Sequence, residues 1–290
     1  MRAAVIHEGA LRIEERPEPV PRAGEVVIGV RAAGINGADL LQRKGGYPAP
    51  EGAPEDIPGL ECAGELDGRR VMALLPGGGH AEQVAVDARH VLDVPDGWTC
   101  EEAGGFVEVF ATAHDALVTQ AGLRAGERLL VNGAAGGVGS AAVQLGVALG
   151  ARVTGTARHH FDALRAFGAD TEPEGAYDVI LELVGGENLA TNLERLAPQG
   201  RIAVIGVGAG ATQAVNFHLL MRARGRIHGS TLRSRSGDEK AAVVARLRDE
   251  VLPLGLRPPI HSTFPLERAE EAYDRFAAGG KLGKVVLSVA

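Results

Sequence analysis

Apolar residues recur along this chain with two different periods, and the change from one to the other divides it. From Met1 to about Val94 the apolar stretches are short, with polar residues at alternating positions: Arg2 to His7, Leu11 to Glu14, Glu25 to Ala32, Arg70 to Leu74, Glu82 to Val86 and His90 to Val94. Proline and glycine clusters separate them at Pro17 to Gly24, Gly45 to Pro58 and Pro76 to Gly79. Short alternating runs between such breakers predict a small barrel-like β domain. The stretch from 44 to 59 is longer than an ordinary turn, and a loop of that length in a compact domain is usually functional or disordered.

From Asp96 to Leu123 the pattern turns helical around Phe110, His114 and Leu117, which predicts a linking helix. A strict alternation of strand and helix follows. Leu129 to Val131 form an apolar run suited to a strand buried on both faces. Val138, Ala142, Leu145 and Leu149 form one helical stripe, Gly150 stands where a helix C-terminal glycine belongs, and Arg152 to Thr156 form a second strand. Further helices are predicted over Asp162 to Phe167, Asn188 to Leu196 and Asn216 to Arg222, with strands at Tyr177 to Val184, Gly200 to Val207 and Arg226 to Thr231. This alternation predicts an α/β, doubly wound parallel sheet. After Ser236 come a helix over Glu239 to Val251, a strand near Ile260 to Phe264, a helix from Leu266 to Ala278 and a closing strand from Lys284 to Val289, which we expect to return to the first domain.

Between the first two strands of the alternating region, Ala134, Gly136 and Gly139 occupy the three positions of the dinucleotide fingerprint, with alanine in the first. Gly136 lets the backbone approach a pyrophosphate, Gly139 lets helix and strand pack closely, and the N–H groups that open the helix, around Gly137 and Val138, face the anion. Ala135 completes the loop. The context is the one the motif requires: strand, turn, helix, strand. At the end of the second strand an NAD site usually has an acid for the ribose 2′-hydroxyl. Here stand Ala157, Arg158, His159 and His160, with no acid before Asp162. A carboxylate repels a 2′-phosphate and an arginine attracts it, so the expected cofactor is NADPH; the plain reading of Arg158 is a solvated residue opening the next helix.

Composition narrows the class. The 290 residues, 45% hydrophobic, suffice for two domains with real cores. A net charge of −7 leaves no global basic surface, so no nucleic-acid partner and no anionic membrane is expected. Two cysteines, Cys62 and Cys100, are too few for a disulfide framework or a four-thiolate zinc site, which fits a reducing compartment. Charges interrupt the apolar runs of MRAAVIHEGALRIEE, unlike a secretory signal, and no stretch reaches about 18 uninterrupted apolar residues. The expected location is cytoplasmic.

The phrases AAGINGADLLQRKGGYPAP, IPGLECAGEL, GGGHAEQVAV, EVFATAHDAL, VNGAAGGVGSAAVQL and GSTLRSRSG resemble the zinc-free quinone oxidoreductase, or zeta-crystallin-like, branch of the medium-chain dehydrogenase/reductase superfamily. The resemblance covers nearly the whole chain. It implies a GroES-like β-rich catalytic domain over 1–107 and 237–290, a Rossmann dinucleotide-binding domain over 108–236, a homodimer, and NADPH-dependent hydride transfer to a quinone. Enal or enone double-bond reduction is a variant, and a cofactor-binding relative without catalysis, RNA-binding or structural, is the alternative from another class.

Zinc-dependent relatives place ligands at the positions of Asn36 and Leu60, and neither residue binds zinc, so no metal is expected. The chain departs from its own branch between Ala63 and Val71 and again between Ala169 and Asp178, where DTEPEGAY replaces a strand, a tyrosine and a helix. The third strand of the expected order 3-2-1-4-5-6 is an edge, so it can shorten without opening the core. By resemblance Asn36 and Tyr47 line the acceptor pocket, the amide of Asn36 donating to the quinone oxygen and the phenol of Tyr47 stacking or donating a proton; a turn residue and a loop residue packed on proline are the plain readings of the two. Asp39 is expected to cap a helix from Leu40 to Arg43 or touch substrate, and His114 to be a packing histidine. The resemblance also implies that the cofactor meets Leu183, Val184, Gly206, Val207, Thr231, Leu232 and Arg233. For Arg233 and its neighbour Arg235 the plain reading is a solvated side chain.

Overall fold

The computed structural model describes all residues from Met1 to Ala290, which divide into two compact units, Met1–Ala111 with Leu232–Ala290, and Thr112–Thr231.

In the second unit strand Arg128–Asn132 has four buried residues, because parallel strands hydrogen-bond to both of its edges. The sheet runs Arg226–Gly229, Leu196–Val204, Tyr177–Glu182, Arg128–Asn132, Arg152–Thr156, all parallel. This is the doubly wound order with its third strand reduced to one bridge between Thr154 and Asp170. The charges and Pro173 in DTEPEGAY offer no apolar run for a longer strand, and an edge loses least when it ends early. Helix Gly137–Ala148 follows the first strand; Gly146 lies so close to it that a Cβ there would stand 2.7 Å from Leu129 Cδ2. Gly150 ends that helix at φ +80. The strand read as Gly200 to Val207 is shifted to Leu196–Val204. It stops there because the backbone at Gly206 passes against Leu183, where an added Cβ would meet the carbonyl oxygen at 2.3 Å.

In the first unit the strands run in the order Ile260–Pro265, Lys284–Ser288, Glu25–Gly34, Glu61–Leu66, Arg69–Leu74, Val91–Asp93, with Gln83–Asp87 paired to Glu25–Gly34 and a separate hairpin of Arg2–His7 and Ala10–Glu15. The two C-terminal strands thus extend a sheet begun by N-terminal ones. Strand Glu61–Leu66 is absent from the sequence reading, since Glu61, Gly64 and Glu65 interrupt its apolar pattern. Its signal was the Asp67-Gly68 pair, whose φ of +51 and +77 make the two-residue turn into Arg69–Leu74.

The linking helix is in pieces: Cys100–Gly104, Val107–His114 and a wider turn over Asp115–Gln120. Gly104 allows the first piece to lie on strand Glu25–Gly34, because a Cβ there would stand 2.8 Å from Ala32. No helix is long and apolar enough to cross a membrane.

Candidate functional site

In the nucleotide unit, the loop Gly133 to Gly139 is tied to the neighbouring strand by the N–H groups of Gly133 and Ala134, which both donate to the Thr156 carbonyl at 3.1 and 2.9 Å. Gly136 is the N-cap residue of helix Gly137–Ala148, and no side chain caps this end. The first-turn N–H groups, including those of Gly137 and Val138, are therefore left for an outside acceptor. The glycines divide the work. A Cβ at Gly139 would lie 2.2 Å from the Gly133 carbonyl oxygen, so only glycine permits this packing. A Cβ at Gly136 would meet nothing nearer than that oxygen at 3.5 Å, so it would project into open space over the helix end. Ala134 is fully buried and Ala135 partly exposed. A helix terminus with free donors and an open glycine above it fits a pyrophosphate.

Arg158 is exposed and has no ion pair, while the nearest acid in sequence, Asp162, is engaged with Arg165 at 3.0 Å. The guanidinium is thus free to meet an anion.

Beneath the loop lies a polar cluster the sequence reading missed. The Glu182 carboxylate, 2% exposed, accepts from the N–H groups of Val184 at 2.7 Å and Gly185 at 2.8 Å and from the amides of Asn188 at 3.2 Å, Asn132 at 2.8 Å and Asn192 at 2.8 Å. Thr156 donates to Asn132 at 2.9 Å. Glu182 and Asn132 end the two strands that flank the reversal of strand order, where ligands bind in such sheets. Five donors and no cation hold this carboxylate, and in return it sets the path of Leu183 and Val184 beside Gly133, whose added Cβ would meet Val184 at 3.0 Å. Val184 and Val207 are exposed, Leu183 and Gly206 partly so, and Thr231 is exposed at the last position of this unit. The only sequence signal for the cluster was polar residues closing apolar strands.

The first unit carries the other expected residues. Asn36 is the N-cap of helix Gly37–Arg43, which starts earlier than the sequence reading placed it. Asp39 is therefore the third helical residue rather than the cap; its carboxylate accepts from the N–H of Asn36 at 2.7 Å and of Gly59 at 3.0 Å. The Asn36 amide donates to Gly34 O at 3.3 Å and Glu61 Oε1 at 3.0 Å, and its oxygen accepts from Lys284 Nζ at 2.6 Å. Both amide hydrogens are engaged here, so the donation to an acceptor oxygen expected from the sequence competes with a structural link between Glu61 and Lys284. Lys284 also donates to Ile35 O at 2.9 Å and pairs with Glu61 at 2.7 Å. Nearby, His80 donates from Nε2 to Gly34 O at 3.3 Å, which leaves Nδ1 to accept from Tyr273 Oη at 3.0 Å. Burial pushes the His80 imidazolium down in pKa, favouring this neutral form.

Tyr47, partly buried, sits in the long loop under Arg233, whose guanidinium carbon is 5.3 Å from the ring centroid. Arg233 is not solvated: it is 5% exposed and donates to Pro76 O at 2.8 Å, Tyr47 O at 3.1 Å and Gln42 Oε1 at 2.7 Å. It belongs with Leu232, 8% exposed, to the first unit. Arg235 is partly exposed and His114 buried. Burial and the Glu108 carboxyl push the Tyr47 phenol up, against Arg233. Burial, with Glu61 adding to it, pushes the Glu108 carboxyl up to about 8. Glu61, Glu108, Lys240 and Lys284 carry no sequence signal, because lone charges in apolar runs read as surface.

No group of three or more His, Cys, Asp or Glu side chains stands in a position to hold a metal ion, and Leu60 is 1% exposed.

Residues 22–96 match the family model of the alcohol dehydrogenase GroES-like domain, and residues 151–287 that of zinc-binding dehydrogenase. The structure is similar to that of the quinone oxidoreductase from Thermus thermophilus, which was also solved in complex with NADPH: TM-score 0.87, 36% identity, 99% of this chain and 100% of that one. The quinone oxidoreductase of Lama guanicoe is 31% identical over 300 residues, 93% of this chain and 90% of that protein. A segment of the pikromycin polyketide synthase component PikAII of Streptomyces venezuelae is 35% identical over 305 residues, 94% of this chain. The chain spans only 8% of that synthase and 5% of polyketide synthase GfsB of Streptomyces halstedii.

Proposed function

We propose that this chain, which belongs to the zinc-free quinone oxidoreductase branch of the medium-chain dehydrogenase/reductase superfamily, is an NADPH-dependent reductase of small quinones. The observation that carries this reading is the uncapped helix end at Gly136 with open space above it. The NADPH complex of the Thermus relative, at 36% identity, supports the same cofactor.

The N–H groups of the first helical turn would hold the pyrophosphate, and Arg158 the 2′-phosphate. The loops ordered by Glu182 would line the nicotinamide side. When bound, NADPH supplies the hydride. The protein's task is then to orient the acceptor and to meet the charge that develops on its oxygen. Tyr47 would serve the first by stacking, its ring orientation supported by the Arg233 guanidinium. Asn36 acts one step back, by fixing Glu61 and Lys284.

The segment of PikAII at 35% identity favours a second acceptor class, enones and enals. NADPH oxidation by the purified protein against a panel of quinones and enals separates the two. The expected result is turnover with small quinones, slowed in single turnover when C4 of NADPH carries deuterium. A protein that binds NADPH and oxidises none of it with any acceptor would refute the reductase and leave the binding-protein reading. The net charge of −7 weighs against RNA as that protein's ligand.

A homodimer and a cytoplasmic location belong to the same proposal. Strand Arg226–Gly229 is paired on one edge only, and beside it helix Phe217–Ala223 exposes 65% of Phe217 and 73% of Met221 one turn apart. Sedimentation equilibrium checks the oligomeric state.

A further inference from the structure

The long loop that carries Tyr47 owes its order to two side chains from outside it, and all the residues concerned belong to the first unit. Between Tyr47 and Glu55 the loop has one backbone bond of its own, from the Ala53 N–H to Pro50 O at 3.1 Å. Its two flanks are tied by Gln42, 6% exposed, in the last turn of helix Gly37–Arg43. The Gln42 amide donates to Glu55 O at 2.9 Å, and its oxygen accepts from Arg233 Nη2 at 2.7 Å. Arg233 donates from Nη1 to Tyr47 O at 3.1 Å and from Nε to Pro76 O at 2.8 Å. Pro76 opens the turn on which the loop packs, where a Cβ at Gly78 would stand 3.3 Å from Pro54 Cγ. A single relay, from Tyr47 O through Arg233 and Gln42 to Glu55 O, therefore closes the loop across its base.

The chemistry of the two side chains suits this task. Gln42 is a donor and an acceptor at once, so one amide can join two strands of backbone. The three partners of Arg233 are neutral oxygens on three separate segments, and a planar guanidinium reaches all of them with charge-assisted bonds. The ammonium of a lysine is a point charge on a flexible stem and cannot copy that fork. The guanidinium also lies 5.3 Å from the Tyr47 ring centroid, so backbone and ring of the same residue are held by one group. A loop without this closure would gain conformational entropy by opening, and an acceptor that had to order it would bind more weakly.

We propose that Arg233 and Gln42 are positioning residues for the acceptor: together they hold the loop as a fixed wall and present the Tyr47 ring already in place. The proposal rests on the reductase reading and on Tyr47 as the residue that stacks on the acceptor. Neither Arg233 nor Gln42 takes part in the transfer of hydride or proton. Both act through Tyr47.

The test uses the full chain with the variants Arg233→Lys, Gln42→Ala, Tyr47→Ala and the double variant Tyr47→Ala/Arg233→Lys. Hydrogen exchange read by mass spectrometry should be faster over residues 45–56 in Arg233→Lys and Gln42→Ala, with the helix Gly137–Ala148 unchanged. With quinone and NADPH, Arg233→Lys should raise KM for the quinone roughly tenfold, the scale of one lost bond from a charged group, and move the NADPH dissociation constant less. The double variant should be no worse than Tyr47→Ala, an outcome that a general loss of packing would not produce. Wild-type exchange over 45–56, an unmoved quinone KM, losses that add in the double variant, or a larger effect on NADPH than on quinone would each overturn the proposal while the reductase reading stands. Should Arg233→Lys not fold, wild-type exchange over 45–56 or an unmoved quinone KM in Gln42→Ala overturns it equally. A wild type inactive with every acceptor would instead overturn the reductase reading, and with it the role at the acceptor, while the exchange measurement would still decide whether the two side chains order the loop.

Discussion

The ammonium of Lys284 lies 2.7 Å from the carboxylate of Glu61, with 1% and 0% of the two side chains accessible. The C-terminal strand is thereby locked to the strand that follows the long loop, through a charge pair that Asn36 bridges on one side. Removing one partner of such a pair leaves an uncompensated buried charge. Lys284→Met is expected to lower unfolding free energy by about 3–5 kcal/mol in chemical denaturation, and Glu61→Leu added to it to restore much of the loss.

The two fingerprint glycines should fail in different ways. At Gly136 φ is −72 and an added Cβ has room, so Gly136→Val should fold normally and lose nucleotide binding, because the side chain fills the space above the helix end. At Gly139 a Cβ would collide with backbone at 2.2 Å, so Gly139→Ala should lower the melting temperature before affinity is at issue. Calorimetric titration with NADPH beside thermal unfolding distinguishes them. A Gly136→Val protein that binds NADPH like wild type would mean that the anion sits elsewhere.

Arg158, exposed and unpaired, should give NADPH an advantage over NADH. A hydrogen-bonded contact to a charged phosphate contributes about 1.5–3 kcal/mol, tenfold or more in affinity. Arg158→Glu should narrow or reverse the ratio of the two dissociation constants. Equal binding of both dinucleotides by wild type would remove Arg158 from the site.

Glu108 makes stability depend on pH. Its carboxyl is raised from an ordinary value of 4.5 to about 8 in the folded chain, so between these limits the native state holds a proton that the unfolded chain releases. Its contribution to stability is therefore full below the lower value, declines as pH rises through the window and levels off above about 8. Glu108→Gln, neutral at every pH, should flatten the slope of unfolding free energy against pH in that window. An unchanged slope would place a carboxylate, not an acid, at this position.

The nucleotide unit was legible along the chain because its signals are local. Strand, glycine turn and helix follow one another within residues 128–150, and the stripe through Ala142 and Leu145 shows the buried face without any distant partner. The same held for the edge of the sheet, where DTEPEGAY has no apolar run to make a third strand and only the bridge from Thr154 to Asp170 forms. What stayed hidden was polar and long-range. Arg233 meets Gln42 across 191 positions and Lys284 meets Asn36 across 248, so neither pairing leaves a period in the sequence. Glu61 breaks the alternation of its own strand because its charge is satisfied inside, by a cation from the far end of the chain. Hydrophobic periodicity records which face of an element avoids water, and that much the chain determines by itself. Which buried charges face one another, and so which carboxyl keeps its proton, is decided only when distant segments close around the same small volume of low dielectric.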